Sequence, residues 1–208
     1  LPPLTQRDST MRMLLTTLAL ATLASLAAAQ TTHQVDQVGF TFSPANITID
    51  VGDTVQWNRS GGNHTVTEGT DDTFTPGVDA FNYPLNGANP VAQHLFNGRF
   101  LFENPRPGNV YPYVCIPHLV SNNMAGSVTV DSPYEDLGLA KTGSLGNPIL
   151  YGNGSLEPGS TSAFVLEDAN PSSFCILFVG LVEGNASFFG GTLVPVPILL
   201  EVSLFTSP

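Results

Sequence analysis

One short stretch, Tyr113-Val-Cys-Ile-Pro-His-Leu-Val-Ser-Asn-Asn-Met124, carries three side chains able to bind a metal. Cys115 offers a thiolate, His118 an imidazole and Met124 a thioether, all soft or borderline donors. A second imidazole, His64 in Gly61-Gly-Asn-His-Thr-Val66, lies 51 residues before Cys115, a gap that only a folded scaffold closes. One thiolate, two imidazoles and a weak axial thioether are the donors of a mononuclear copper site built to pass single electrons. Both oxidation states fit such a set with little movement, so fast electron exchange is the chemistry to expect.

The elements that must hold these residues read as short strands. Phe40 and Phe42 alternate, Ile47, Ile49 and Val51 recur at period two, Gly52-Asp53 marks a turn, and Val55 and Trp57 resume the alternation. Trp57 is expected to pack in the core and to keep water from a nearby metal. Asn58-Arg-Ser-Gly-Gly-Asn63 then presents His64, and the glycines allow the Gly62 carbonyl to approach the metal as an extra weak contact. Val110-Tyr-Pro-Tyr-Val114 leads into Cys115, and Gly126-Ser-Val-Thr-Val130 leads away from Met124. Twenty Gly and seventeen Pro suit many strands and turns better than long helices. Between Glu68 and Asn109 the pattern weakens: Asp71 to Pro84 reads as irregular connection, and Phe96, Phe100 and Phe102 read as strand. His94, among apolar neighbours, reads as a packed or surface residue and not as a ligand.

The ligand stretch resembles that of the cupredoxins, in particular the small plastocyanin-like blue copper proteins, where Cys-x-x-His is followed closely by Met. Cys115, His118 and Met124 match that loop, and His64 in Asn63-His-Thr-Val-Thr67 matches the family's upstream His. Five residues separate His118 from Met124, where plastocyanin-like loops usually have four. The resemblance covers about residues 34–131 and implies an all-β Greek-key sandwich or barrel. It also implies one type 1 copper per chain, held by His64, Cys115, His118 and Met124, in an electron carrier that is not an enzyme. Protein redox partners follow from the same resemblance.

Other uses of these residues fit less well. A Cys115–Cys175 disulfide would draw Cys115 away from its His, so Cys175, inside Phe174-Cys-Ile-Leu-Phe-Val179, reads as a buried free thiol. Structural zinc normally takes four Cys or His ligands, and the two motifs supply three. Multicopper oxidases need His-x-His pairs and dinuclear copper domains need two cysteines in one loop; neither pattern occurs. The aspartates near Asp71 lack the Gly and terminal Glu of a calcium loop and read as turn residues.

Around this domain the chain divides as follows. Residues 1–29 read as upstream sequence plus a signal peptide, with basic Met11-Arg-Met13, apolar Leu14 to Leu26 and small Ala27-Ala-Ala29 before the cut. Export to a bacterial periplasm or the extracellular space is the expectation, and the five Asn-x-Ser/Thr triplets, at Asn46, Asn58, Asn63, Asn153 and Asn185, are then chance. The whole chain carries a net charge of −11, and without Arg7, Asp8 and Arg12 it is −12. That acidity excludes nucleic acid as a partner and suits a redox partner with a basic docking surface. The copper domain is expected over 30–132, a linker over 133–145, and a second, incomplete all-β module over 146–208. Two other functions suit the same sequence: an adhesion or structural module without functional copper, and copper storage or delivery.

Overall fold

The computed structural model describes residues 30–188 and 191–206; the leader-like segment lies outside them. In chain order its first strands are β1 (Thr32–Val38), β2 (Thr41–Ser43), β3 (Asn46–Asp50), β4 (Thr54–Arg59), β5 (His64–Glu68), β6 (Asn82–Leu85) and β7 (Val91–Leu95). A helical turn α1 (Gly98–Glu103), strand β8 (Val110–Val114), a second turn α2 (Leu119–Asn122) and β9 (Ala125–Asp131) follow. Two sheets result, ordered β2-β1-β4-β7 and β3-β9-β8-β5-β6. Most neighbours are antiparallel, while β1 with β4 and β3 with β9 run parallel.

Alternation produces the sandwich. Val35 on β1, Val55 and Trp57 on β4, Ile49 on β3 and Val128 and Val130 on β9 all turn inward and are buried, while residues between them face water or are only partly covered. Aromatic rings stitch the sheets: the Tyr113 ring meets Phe42 at 5.0 Å and Trp57 at 5.4 Å, both edge-on. Trp57 thus packs in the core as its position predicts. Gly126 makes a close strand crossing possible, because a Cβ there would strike the Ala45 carbonyl and the Tyr113 ring. The Tyr113 hydroxyl donates to that same carbonyl at 2.9 Å.

Two expectations for the 68–109 segment are corrected. Asn82-Tyr83-Pro84 is strand, not irregular chain: β6 pairs with β5 at the sheet edge, where a proline costs no ladder bond. Phe100 and Phe102 are helical, not strand. Asn97 caps α1 by accepting the Phe100 N–H at 2.8 Å, and the helix buries Phe100 while exposing Phe102, which a strand would put on one face. The aspartates here act in turns: Asp71 accepts from Thr73 N and Asp79 from Thr75 N. Glu68, almost fully buried, receives two Arg106 nitrogens and the Ala80 N–H, which fastens the intervening loop to the strand. His94 is packed, with its Nδ1 2.8 Å from the Tyr83 hydroxyl and its ring among Phe81, Phe96 and Phe100.

Beyond Asp131 the described chain forms two hairpins, β10 (Ile149–Asn153) with β11 (Ala163–Glu167) and β12 (Phe174–Phe188) with β13 (Gly191–Phe205). The first lies against the sandwich: Gly98 N donates to the Asn153 side chain at 2.9 Å and Gly154 N to the Val51 carbonyl at 2.7 Å. Arg99 reaches Glu167 and Asp168, and Tyr134 meets Phe164 edge-on. The second hairpin is longer and leaves Leu181, Val182, Leu199 and Phe205 more than half exposed. Cys175 lies on β12, free and partly exposed where the sequence suggests a buried thiol, because no second layer among the described residues covers that strand.

Candidate metal centre

The site occupies a fork between two strands. β5 and β8 are bonded only at Thr67↔Val114 and Glu68↔Tyr113. Past that point they part, and the opening is flanked by His64, first residue of β5, and Cys115, just after β8. Thr65 takes over from the ladder: its N–H points at Cys115 Sγ, 3.4 Å away, and its Oγ1 accepts the Ile116 N–H at 2.9 Å.

From Cys115 the chain turns tightly, with Pro117 early in the turn and the His118 N–H bonded to the Cys115 carbonyl at 2.9 Å. α2 follows and stops at Asn123, whose φ of 52° is left-handed and whose N–H returns to Leu119. This helical turn spans most of the stretch between His118 and Met124. Met124 comes back beside Cys115, accepting the Cys115 N–H at 2.9 Å, and is buried in the same apolar cluster.

His64, Cys115 and His118 converge. The Nδ1 of His64 is 3.5 Å and the Nδ1 of His118 3.2 Å from Cys115 Sγ, and the three donor atoms all lie within 4.8 Å of one another. Metal–sulfur and metal–nitrogen bonds of about 2.3 and 2.0 Å, meeting at about 110–120°, set sulfur and nitrogen about 3.5–3.7 Å apart. The His64 distance meets that range and the His118 distance falls just below it, and soft thiolate with imidazole is a donor set suited to copper. Among the described residues this is the one His, Cys and carboxylate grouping of that kind.

Electrostatics favour an empty imidazole at His64. Burial lowers its pKa, and the neighbouring His118 and Arg59 lower it further, so the ring stays neutral and able to bind. Burial pushes the Cys115 thiol up, partly opposed by hydrogen bonds from Thr65 and His118, so metal binding must expel a proton. The Gly62 carbonyl accepts Arg59 Nε at 2.7 Å. Gly62 is left-handed, with φ at 70°, and a Cβ there would come within 2.8 Å of His64 Nε2.

Three residues the sequence reading gave no site role surround the ligands. Thr65 points an N–H at the sulfur, Phe40 sets its ring 4.8 Å from that of His118, and Gln37, fully buried, ties the Phe40 turn to the loop before His64. Gln37 alone left a signal, as a polar residue in step with inward-facing Val35.

Residues 29–131 match the family described as copper binding proteins, plastocyanin/azurin family. No curated protein matches the chain. Among solved structures it is similar to oxidised plastocyanin from Dryopteris crassirhizoma, at 22% identity over 47% of this chain and 99% of that one, with a TM-score of 0.36. A purple cupredoxin from Nitrosopumilus maritimus aligns at 25% identity over 48% and 99%, TM-score 0.35. Pseudoazurin from Methylobacterium extorquens AM1 aligns at 17% over 50% and 78%, TM-score 0.36.

Proposed function

Because residues 29–131 form a copper-binding domain of the plastocyanin/azurin family, with one copper per chain, we propose that this protein is an exported one-electron carrier whose metal is held by His64, Cys115, His118 and Met124. The observation that carries the reading is the convergence of two imidazole Nδ1 atoms on one cysteine sulfur. Copper supplies a one-electron couple when bound. The chain's own residues do the rest. Neighbouring strands of one sheet, β5 and β8, carry His64 and Cys115 to opposite sides of the fork, so the donor atoms are placed before any ion arrives. Trp57, Tyr113 and Met124 are buried in the same apolar core as Cys115, away from water. His118, partly exposed, is the ligand nearest solvent and forms the contact for exchange with a protein partner.

Carrier suits this site better than catalyst, since the donors enclose the position and leave no seat for a substrate. No described helix is long and apolar enough to cross a membrane. The acidic exterior fits a partner with a basic face, although Arg59 makes the rim beside His64 locally cationic. The exposed β12–β13 hairpin favours a second role for the C-terminal part, in surface attachment.

Copper titration of residues 30–208, read by visible absorption and electron paramagnetic resonance, tests the proposal. An intense thiolate-to-copper band, bleached by reductant and absent from Cys115→Ser, is the expected result. A folded, colourless protein that takes up no stoichiometric copper overturns it.

A further inference from the structure

A small device outside the ligand set acts on the imidazoles. Val38-Gly39-Phe40-Thr41 is the turn joining β1 to β2; Gly39 is left-handed at φ 58°, and Thr41 Oγ1 closes the turn on the Val38 carbonyl at 2.9 Å. Phe40 at its tip is half exposed, at 49%, an unusual place for a large apolar ring unless something specific holds it. Its ring lies 4.8 Å from His118 and 6.2 Å from His64, and the two imidazoles are 4.6 Å apart, so three rings form one cluster at the mouth of the site.

Gln37 sits at the foot of the same turn, with 1% of its surface exposed. Its amide nitrogen donates to the Gly39 carbonyl, and its Oε1 accepts both Ser60 N at 3.0 Å and Gly61 N at 3.2 Å. A buried amide is costly unless its bonds are made, and here they join the turn bearing Phe40 to the loop that runs into His64. Neither residue touches Cys115 Sγ in the hydrogen-bond network, so any effect on the metal passes through the histidines.

We infer that Phe40 and Gln37 are positioning residues: Gln37 braces two loops, and Phe40, held by that brace, keeps the His118 ring turned toward Cys115 and limits access to the sulfur. The inference rests on the copper-centre reading. Without Phe40, His118 gains rotational freedom and the pocket opens to water; without Gln37, turn and loop shift independently and Phe40 loses its seat. A merely structural Phe40 would change stability alone.

The test compares Phe40→Ala, Phe40→Tyr and Gln37→Leu with the parent, all in a Cys175→Ser background so that Cys115 is the single thiol of residues 30–208. In metal-free protein the rate of Cys115 alkylation by iodoacetamide is measured; copper affinity is measured by chelator competition. Phe40→Ala is expected to alkylate faster and bind copper about tenfold more weakly, the scale of losing an outer partner of a metal ligand. Phe40→Tyr, which keeps the ring, should match the parent, and Gln37→Leu should follow Phe40→Ala. Parental alkylation rate and affinity in Phe40→Ala overturn the inference, whatever its melting temperature. Should the parent bind no copper, the electron-carrier reading falls by itself, and the alkylation rates alone decide whether Phe40 guards the pocket.

Discussion

Trp57 and Tyr113 in the sandwich are fully buried, while Leu181 and Phe205 in the β12–β13 hairpin stand 69% and 77% exposed. Both regions are rich in apolar strand residues. The sandwich has a second sheet to meet its inward face, and the residues that turn inward are buried. Among the described residues the long hairpin has one layer, so the same chemistry leaves apolar surface in water. The difference explains where the site can be built. A trio of donors held within 4.8 Å needs its strands fixed from both sides, and only the two-sheet body provides that.

The sharpest way to break this comparison is at the sulfur. Cys115→Ser should abolish the thiolate band and weaken copper by more than the roughly 10–100-fold typical of an outer-shell loss, while the metal-free sandwich stays folded. Circular dichroism beside absorption checks both halves.

Acid offers the next largest effect. Burial holds His94 at a pKa of about 4, against an ordinary 6.5. The unfolded chain therefore takes up this proton at a higher pH than the folded one. The stability it contributes is complete above about pH 6.5 and lost as pH falls toward about 4, amounting to about 3 kcal/mol. Urea unfolding from pH 7 to pH 4 should show that slope, and His94→Gln should flatten it.

Glycines contrast the two regions directly. Gly126→Ala drives a Cβ into the Ala45 carbonyl and the Tyr113 ring, and should cost about 2–3 kcal/mol in thermal unfolding. Gly143→Ala, beyond the sandwich, meets nothing nearer than the Gly146 carbonyl at 3.6 Å and should leave the midpoint unchanged. The smallest effect is expected from deleting residues 169–208: the copper spectrum and midpoint of the sandwich should persist, and binding of a hydrophobic dye should fall. A large drop in the midpoint would show that the long hairpin supports the body after all.

The pairing of Cys115 with His118 and the central strands were legible in the sequence because each depends on local spacing: Cys115 to His118, or Val55 to Trp57. Phe100 and Phe102 misled because their period-two spacing also suits a short helix, and the Asn97 cap decided the outcome. Pro84 concealed β6, since a proline argues against strand except at an edge such as the one β6 occupies. Thr65 and Phe40 left no trace, as their roles arise from contacts with residues 50 and 78 positions away.

The fork between β5 and β8 would make a bound metal a mechanical part of the fold. Where the backbone ladder ends at Thr67↔Val114, one Thr65 side chain and three donor atoms hold the strands together. An ion held by His64 and Cys115 would act as a rivet across that split, so amide hydrogens at Thr65 and Ile116 should exchange with solvent slowly in the loaded protein and quickly in the stripped one. Amide exchange would then report metal occupancy even in the colourless, reduced state, which absorption cannot see.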